Sequence, residues 1–371
     1  MARKKTGRNP FATVKGLLGM MGGRLLALVS VAVVNGSLGE LLAIGTVLFG
    51  ALAIGAGLDG HAPTAIAVYM SLAILSGALR GLLRYLEQYM NHYIAFTTLA
   101  NVRIRAYAAL SCLAPARLEG ERKGNLVSMV TSDTEILEVF YAHTISPSFI
   151  AINVLLSITL ICGFLVSWPL AAAFAGFYAV IGFVFPWLSF RLQGANGKEY
   201  RREAADFSSF LIDSLRGSAE TVFARDEKNR SAALEKQSGR LRHFANSIKW
   251  RGALMARLTD FFMGFGFAVI AAIAVTQVLA GQITSGAAAF GVAVAISSFR
   301  PAVALSALPA ALTSSFAAAN RILDLIAEKP AVAENTTGQT LTSYATAAMD
   351  KVCFAYPDDR STAVLTAVDL T

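Results

Sequence analysis

Long apolar stretches, interrupted by short turns or by long polar segments, set the pattern of this chain. Six of these stretches are long enough to cross a bilayer as helices, which takes about 20 residues each. They cover residues 24–58, 63–83, 135–166, 170–190, 253–280 and 287–313. Because only helices and closed barrels satisfy the backbone in lipid, the pattern predicts an all-α membrane protein with six transmembrane helices in a lipid bilayer.

The polar segments continue the helical pattern past the apolar stretches. No helix breaker follows the second stretch until Ala114-Pro115. The fourth stretch passes into a polar helical segment over 191–251, which is interrupted near Gly217. We therefore expect long helical extensions on the polar side, each ending in an elbow where a soluble partner docks.

The first elbow belongs to a polar segment, Arg117–Phe140, that lies between apolar stretches. Gly124 allows a turn before a helix that starts at Asn125. Ser132 or Asp133 is equally suited to cap the next helix with its side chain. Both interpretations assign these residues a structural role.

The distribution of cations predicts the orientation. The turns at 56–63, 167–169 and 280–285 contain no Lys or Arg, whereas the polar regions 84–134 and 190–252 contain 6 and 13. Because cytoplasmic loops of membrane proteins carry the excess of cations, we expect both termini and both polar regions in the cytoplasm.

Composition supports a membrane protein and argues against a nucleic-acid partner. The chain is 55% hydrophobic and 15% charged, with a mean hydropathy of +0.55, and average soluble domains carry about 25% charged residues. The net charge of +8 is accounted for by the cytoplasmic side, and no basic, aromatic-rich soluble module is present for nucleic acid. The three cysteines are too far apart in sequence to indicate a metal or disulfide pattern.

The chain divides by composition into four parts. Residues 1–23 form a cytoplasmic N-terminus with an interfacial helix, 24–328 the membrane domain, and 329–348 a linker of small and polar residues. From 349 to 371 the pattern predicts a β-hairpin. A lone hairpin is not stable by itself, so we expect it to be the beginning of a further domain.

Charges inside the membrane are the candidate functional residues, because burying them is costly. Counting inward from the outer turns places Glu40, Arg80 and Arg300 at a similar depth, roughly 22–27 Å from the outer surface. Arg84 lies one turn beyond Arg80, and Asn153 reaches a similar level. We predict a central cavity in which the three arginines bind a carboxylate and Glu40 binds an ammonium group.

Simpler interpretations remain open for these side chains. Glu40 and Arg300 are also suited to a structural pair between helices, and Arg80 and Arg84 to snorkelling toward the inner headgroups. His92 has the position of a solvated helix residue. The tyrosines at positions 85, 89 and 93 form a stripe that usually indicates packing but also suits a flat ligand.

The six-span plan, the elbows GNLVSMVTSDTEILEVF and GSAETVFARDEKN, the exit RILDLIAEKP and the hairpin VCFAYP…AVLTAVDL resemble exporters of the ABC transporter family. The resemblance implies that the hairpin begins a nucleotide-binding domain, in which Tyr356 stacks on the adenine of ATP. No glycine-rich phosphate loop, Mg²⁺-binding acid or signature motif follows before Thr371. It therefore implies a chain that stops at the start of that domain and does not hydrolyse ATP by itself.

A closer resemblance rests on RYLEQYMNHYIAF and on the Ile-Ser-Pro at 145–147. These runs are similar to the CydC half of the heterodimeric CydDC exporters of the bacterial inner membrane. That likeness implies export of cysteine or glutathione by alternating access, with a CydD-like half-transporter or a second identical chain as partner. It also implies His92 as a haem ligand. Export of lipid, drug or peptide is the first alternative, and a membrane scaffold without a motor is the second.

Overall fold

The computed structural model describes residues 9–58, 61–114, 123–330, 346–355 and 363–371. The first half contains α1 (Pro10–Leu18), α2 (Gly23–Leu58), α3 (Pro63–Leu113), α4 (Lys123–Val130), α5 (Ser132–Ile136), α6 (Glu138–Phe140), a π-helical turn (Tyr141–Ile145) and α7 (Ser146–Leu165). The second half contains α8 (Trp168–Ala179), a π-helical turn (Val180–Val184), α9 (Phe185–Arg216), α10 (Ser218–Phe223), α11 (Glu227–Leu279), α12 (Ser285–Ser298) and α13 (Arg300–Ile326). The strands β1 (Met349–Phe354) and β2 (Leu365–Leu370) pair in antiparallel orientation.

In the described part of the chain, six helical runs are long and apolar enough to cross a membrane. They lie within Gly23–Leu58, Pro63–Leu113, Gly124–Leu165, Trp168–Ser189, Glu227–Leu279 and Ser285–Ser306. The helices α3 and α11 have 51 and 53 residues, which corresponds to about 75–80 Å at 1.5 Å per residue and exceeds the thickness of a bilayer. The prediction of six transmembrane helices with long helical extensions and a C-terminal hairpin is confirmed.

Prolines account for both π-helical turns in the described chain. Each turn is followed directly by a helix with a proline in its first turn, Pro147 in α7 and Pro186 in α9. Proline has no amide hydrogen, and its ring clashes with the carbonyl one turn earlier. The preceding turn therefore widens to the π form. The hydropathy pattern alone did not indicate either turn.

The sixth apolar stretch is divided into two helices at the point where Pro301 lies. The helix α12 ends at Ser298, and α13 starts at Arg300. Pro301 cannot donate to the carbonyl one turn before it, so the hydrogen-bond ladder is interrupted there. The ladder resumes with the bond from Val303 N to Phe299 O at 3.1 Å.

The chain forms two compact units. The larger unit comprises Gly22–Phe96 and Glu138–Ser314. The smaller unit comprises the described parts of Met1–Met21, Thr97–Leu137 and Ser315–Thr371.

The core of the larger unit forms around one face of α7. Buried residues recur there every fourth position, at Ile150, Val154, Ile158 and Cys162. They pack with buried residues of α8, α11 and α12, namely Leu170, Phe174, Tyr178, Ile270, Ala274, Val294 and Ala295. The hydroxyl of Tyr178 and that of Ser298 are 2.6 Å apart, which satisfies two buried polar groups by one hydrogen bond.

In the smaller unit, α5 and α13 are joined by an ion pair. Both oxygens of Asp133 accept hydrogen bonds from Arg321, at 2.6 and 2.5 Å. The bond with Asp133 raises the pKa of Arg321 above its ordinary value.

The proposed capping role of Asp133 or Ser132 is therefore wrong, because no side chain caps α5. The preceding helix starts at Lys123, two residues before the predicted Asn125.

The N-terminal helix α1 packs on α13 within the same unit. Thr13 donates a hydrogen bond to Asn320 at 2.7 Å. A Cβ atom on Gly16 would lie 2.9 Å from the side chain of Leu323, so glycine permits this close approach.

Candidate functional site

A charged cleft lies between α2 and α3 in the larger unit. One wall is formed by residues of α2, and the other by residues one helical turn apart on α3. The lining residues are Gly36, Gly39, Glu40, Arg80, Arg84 and Glu87. The cleft has room for about one water molecule, so this chain alone does not enclose an amino acid.

Glycines let the walls of the cleft approach each other. A Cβ atom on Gly39 would lie 3.6 Å from Cβ of Leu83 on α3. A Cβ atom on Gly36 would collide with the side chain of Ile150 and lie 3.1 Å from Cγ of Glu87. A larger residue at position 36 would therefore force the side chains of Ile150 and Glu87 to shift.

Glu40 and Arg300 form an ion pair between α2 and α13. Nη2 of Arg300 donates to Oε1 of Glu40 at 2.6 Å. The side chain of Glu40 is 15% exposed and that of Arg300 is 59% exposed. The similar depth inferred from the sequence thus corresponds to direct contact, and the carboxylate is already engaged by a cation.

A second carboxylate, Glu87, lies in the cleft wall and was not among the predicted site residues. It is fully buried. It accepts hydrogen bonds from Arg84 at 2.5 Å and from the side-chain amide of Asn91 at 3.1 Å. Its spacing from Arg84 and Asn91, at i, i+3 and i, i+4 on one helix, was the signal in the sequence. Burying this charge is costly unless it stays paired, so Arg84 and Glu87 act as a unit.

The other predicted residues are placed differently. Arg80 lines the cleft and is half-buried, and within the described part of the chain it has no hydrogen-bond or ion-pair partner. Asn153 is exposed on α7 and does not belong to the residues that line the cleft. Tyr356 lies outside the described residues.

His92 contacts the π-helical turn rather than open solvent alone. Its Nδ1 atom lies 3.4 Å from Oε1 of Glu138, and its ring packs edge-on against His143 with centroids 5.3 Å apart. With Nδ1 facing a carboxylate, Nε2 is the nitrogen suited to bind a metal, so the residue fits a haem ligand. That role stays a prediction.

The tyrosine stripe beside His92 is exposed within this chain. Tyr85, Tyr89 and Tyr93 are 66%, 61% and 50% exposed. The rings of Tyr85 and Tyr89 stack with centroids 6.3 Å apart. Within the chain, the stripe therefore forms an open aromatic surface.

Comparisons with known proteins agree with this architecture. The family described as "ABC transporter transmembrane region" matches residues 27–299. The chain is 30% identical to a "Probable ABC transporter ATP-binding/permease protein" of Haemophilus influenzae, over 91% of the chain and 61% of the relative.

Two further relatives bear the name "Glutathione/L-cysteine transport system ATP-binding/permease protein CydC". The one from Escherichia coli is 28% identical over 76% of the chain and 49% of its own length. The one from Haemophilus influenzae is 23% identical over 77% of the chain and 51% of its own length. The chain thus spans about half to three fifths of the length of these curated relatives.

Proposed function

The chain belongs to the family of ABC transporter transmembrane regions, and from this membership we propose that it forms the membrane half of an ATP-driven exporter of small thiols. Its cargo would be cysteine, glutathione or a similar amino-acid derivative. It would pair with a CydD-like half-transporter or with a second identical chain. We place it in the bacterial inner membrane with both termini in the cytoplasm, as the cation distribution indicates.

The observation that carries the proposal is the charged cleft. Glu40, Arg80 and Arg84 line the cleft, and Arg300 of a third helix is bound to Glu40. Ionisable side chains within transmembrane helices mark substrate pathways by default. A zwitterionic cargo offers a carboxylate for arginine and an ammonium group for glutamate. The names of the CydC relatives support the same class of cargo.

The cleft would work by alternating access. The space within one chain is too small for an amino acid, so the partner must contribute the other half of the cavity. ATP and Mg²⁺, bound at nucleotide-binding domains, would supply the energy. This chain would bind the cargo through its cleft and expose it to one side of the membrane and then to the other, by relative movement of the helices.

The test is the ATPase activity of the exporter in nanodiscs, with a complete nucleotide-binding domain and the CydD-like partner. Cysteine, glutathione and a panel of apolar drugs and lipids are added in turn. We expect stimulation by the thiols and not by the panel. Arg257→Ala is a control that should keep the stimulation, since Arg257 is 83% exposed and, among the described residues, pairs only with Asp260 on its own helix. Stimulation by apolar compounds alone would assign the chain to lipid or drug export.

A further inference from the structure

The three cations at the cleft differ in their partners. Arg300 is bound to Glu40, and Arg84 is bound to Glu87. Arg80 lines the same cleft and has no such partner among the described residues. Two of the three cations are therefore neutralised by carboxylates of the same chain, and the charge of Arg80 is not neutralised by any described residue.

From this division we propose that Arg80 is the specificity-determining residue that binds the carboxylate of the cargo. Glu40 and Glu87 are then internal counter-ions that keep Arg300 and Arg84 from competing for it. The inference rests on the proposed function and deepens it, because it assigns the cargo's carboxylate to one residue. It also revises the role of Glu40, which is engaged by Arg300 rather than open to an ammonium group.

The net charge of the cleft favours the binding of one carboxylate. With both glutamates paired, one positive charge remains in a low-dielectric environment, where an unpaired cation is costly. One carboxylate neutralises it. The guanidinium fork binds a carboxylate through two parallel hydrogen bonds, which gives both affinity and orientation. Arg80 lines the cleft one helical turn from Arg84 and is only half-buried, so it is accessible to a ligand in the cleft.

The test compares cysteine with cysteinamide, which keeps the thiol and the ammonium group and lacks the carboxylate. The reconstituted exporter should be half-activated by cysteine at a concentration about ten-fold or more below that of cysteinamide. We expect Arg80→Ala to abolish this preference and Arg80→Lys to retain part of it, since an ammonium lacks the planar fork.

Two further variants test the counter-ions. The double variant R84Q/E87Q removes the second pair without leaving a buried charge, and it should keep the preference for cysteine. Glu40→Gln releases Arg300, and it should tighten the binding of cysteine about three-fold or more by adding a charge-assisted hydrogen bond. Unchanged or weaker binding in Glu40→Gln would contradict the counter-ion role.

Failure of the inference is distinguishable from failure of the proposed function. If thiols stimulate the wild type and Arg80→Ala keeps the carboxylate preference, the inference is overturned and thiol export stands. If no thiol stimulates the wild type, thiol export fails. The role of Arg80 is then tested by thermal unfolding in acetate. If acetate stabilises the wild type and not Arg80→Ala, the inference is supported. If acetate has the same effect on both proteins, the inference is overturned. Loss of assembly with the partner in Arg80→Ala, with an unchanged preference, would make Arg80 an interface residue.

Discussion

Arg300 and Glu40 are joined by a 2.6 Å ion pair although they lie 260 residues apart in the sequence. The pair connects α13 to α2, next to the point where Pro301 interrupts the sixth apolar stretch. Glu40 is mostly buried, so the pair holds a carboxylate that would otherwise be stranded in an apolar environment.

Arg300→Ala should destabilise the assembled protein by roughly 1–2 kcal/mol, since Glu40 loses its partner. The effect is modest because the side chain of Arg300 is itself largely exposed. Thermal unfolding in nanodiscs measures the effect. The double variant E40Q/R300Q removes both charges and should recover most of the loss. A double variant as unstable as the single one would show that the ion pair is not the cause.

Removing Arg84 should have a larger effect. Arg84→Ala leaves Glu87 fully buried, with Asn91 as its one partner among the described residues, which we expect to cost about 3 kcal/mol or more. Denaturant unfolding checks this, and R84Q/E87Q is the matched control without a buried charge. Comparison with Arg80→Ala separates stability from recognition, because Arg80 has no partner among the described residues and its loss should leave the unfolding free energy unchanged or raise it.

Asp133→Asn should loosen the smaller unit by about 1–3 kcal/mol, since a bidentate pair with a mostly buried carboxylate is lost. The pKa of Arg321 is raised, so its contribution to stability is complete below the ordinary arginine pKa and is lost only as pH rises through the raised value. We therefore expect the effect of Asp133→Asn to be constant across the neutral pH range. Hydrogen exchange of α5 and α13 at several pH values would reveal any dependence.

Gly36→Ala tests the close approach of the cleft walls. The new methyl group meets Ile150 and Glu87, so we expect a loss of about 1–3 kcal/mol from overpacking. Gly50→Ala on the same helix is the control, because nothing lies within 4 Å of its added Cβ. That change should be neutral or stabilising by up to about 1 kcal/mol. Equal effects of the two substitutions on thermal unfolding would contradict the proposed packing.

The orientation is testable by cysteine labelling. Gln282→Cys lies in an outer turn and Lys228→Cys in a polar region of the chain, so only the former should react with a membrane-impermeant maleimide in intact cells. Cys112 and Cys353 are replaced by serine, whereas Cys162 is retained because it is fully buried. Labelling of Lys228→Cys in intact cells would contradict the predicted orientation.

The sequence by itself determined the features that depend on neighbouring residues. Apolar stretches of sufficient length specify membrane helices, the lack of a breaker after the second stretch specifies the length of α3, and alternation from residue 349 specifies a strand. The breaks at Pro147, Pro186 and Pro301 are also local, since a proline disturbs only the turn before it. The sequence likewise indicated that Glu40, Arg80 and Arg300 share a depth, because the rise per residue of a helix is fixed.

Only the tertiary structure decided which of these groups meet. Depth along a helix does not give its rotation, so neither the contact of Glu40 with Arg300 nor the exposure of Asn153 and the tyrosine stripe followed from spacing. The same holds for Asp133, which local rules identified as a cap and which binds Arg321 from 188 residues away. Glu87 is the clearest case, since its spacing from Arg84 was visible in the sequence, but its complete burial depends on the packing of α2 and α3 through Gly36 and Gly39.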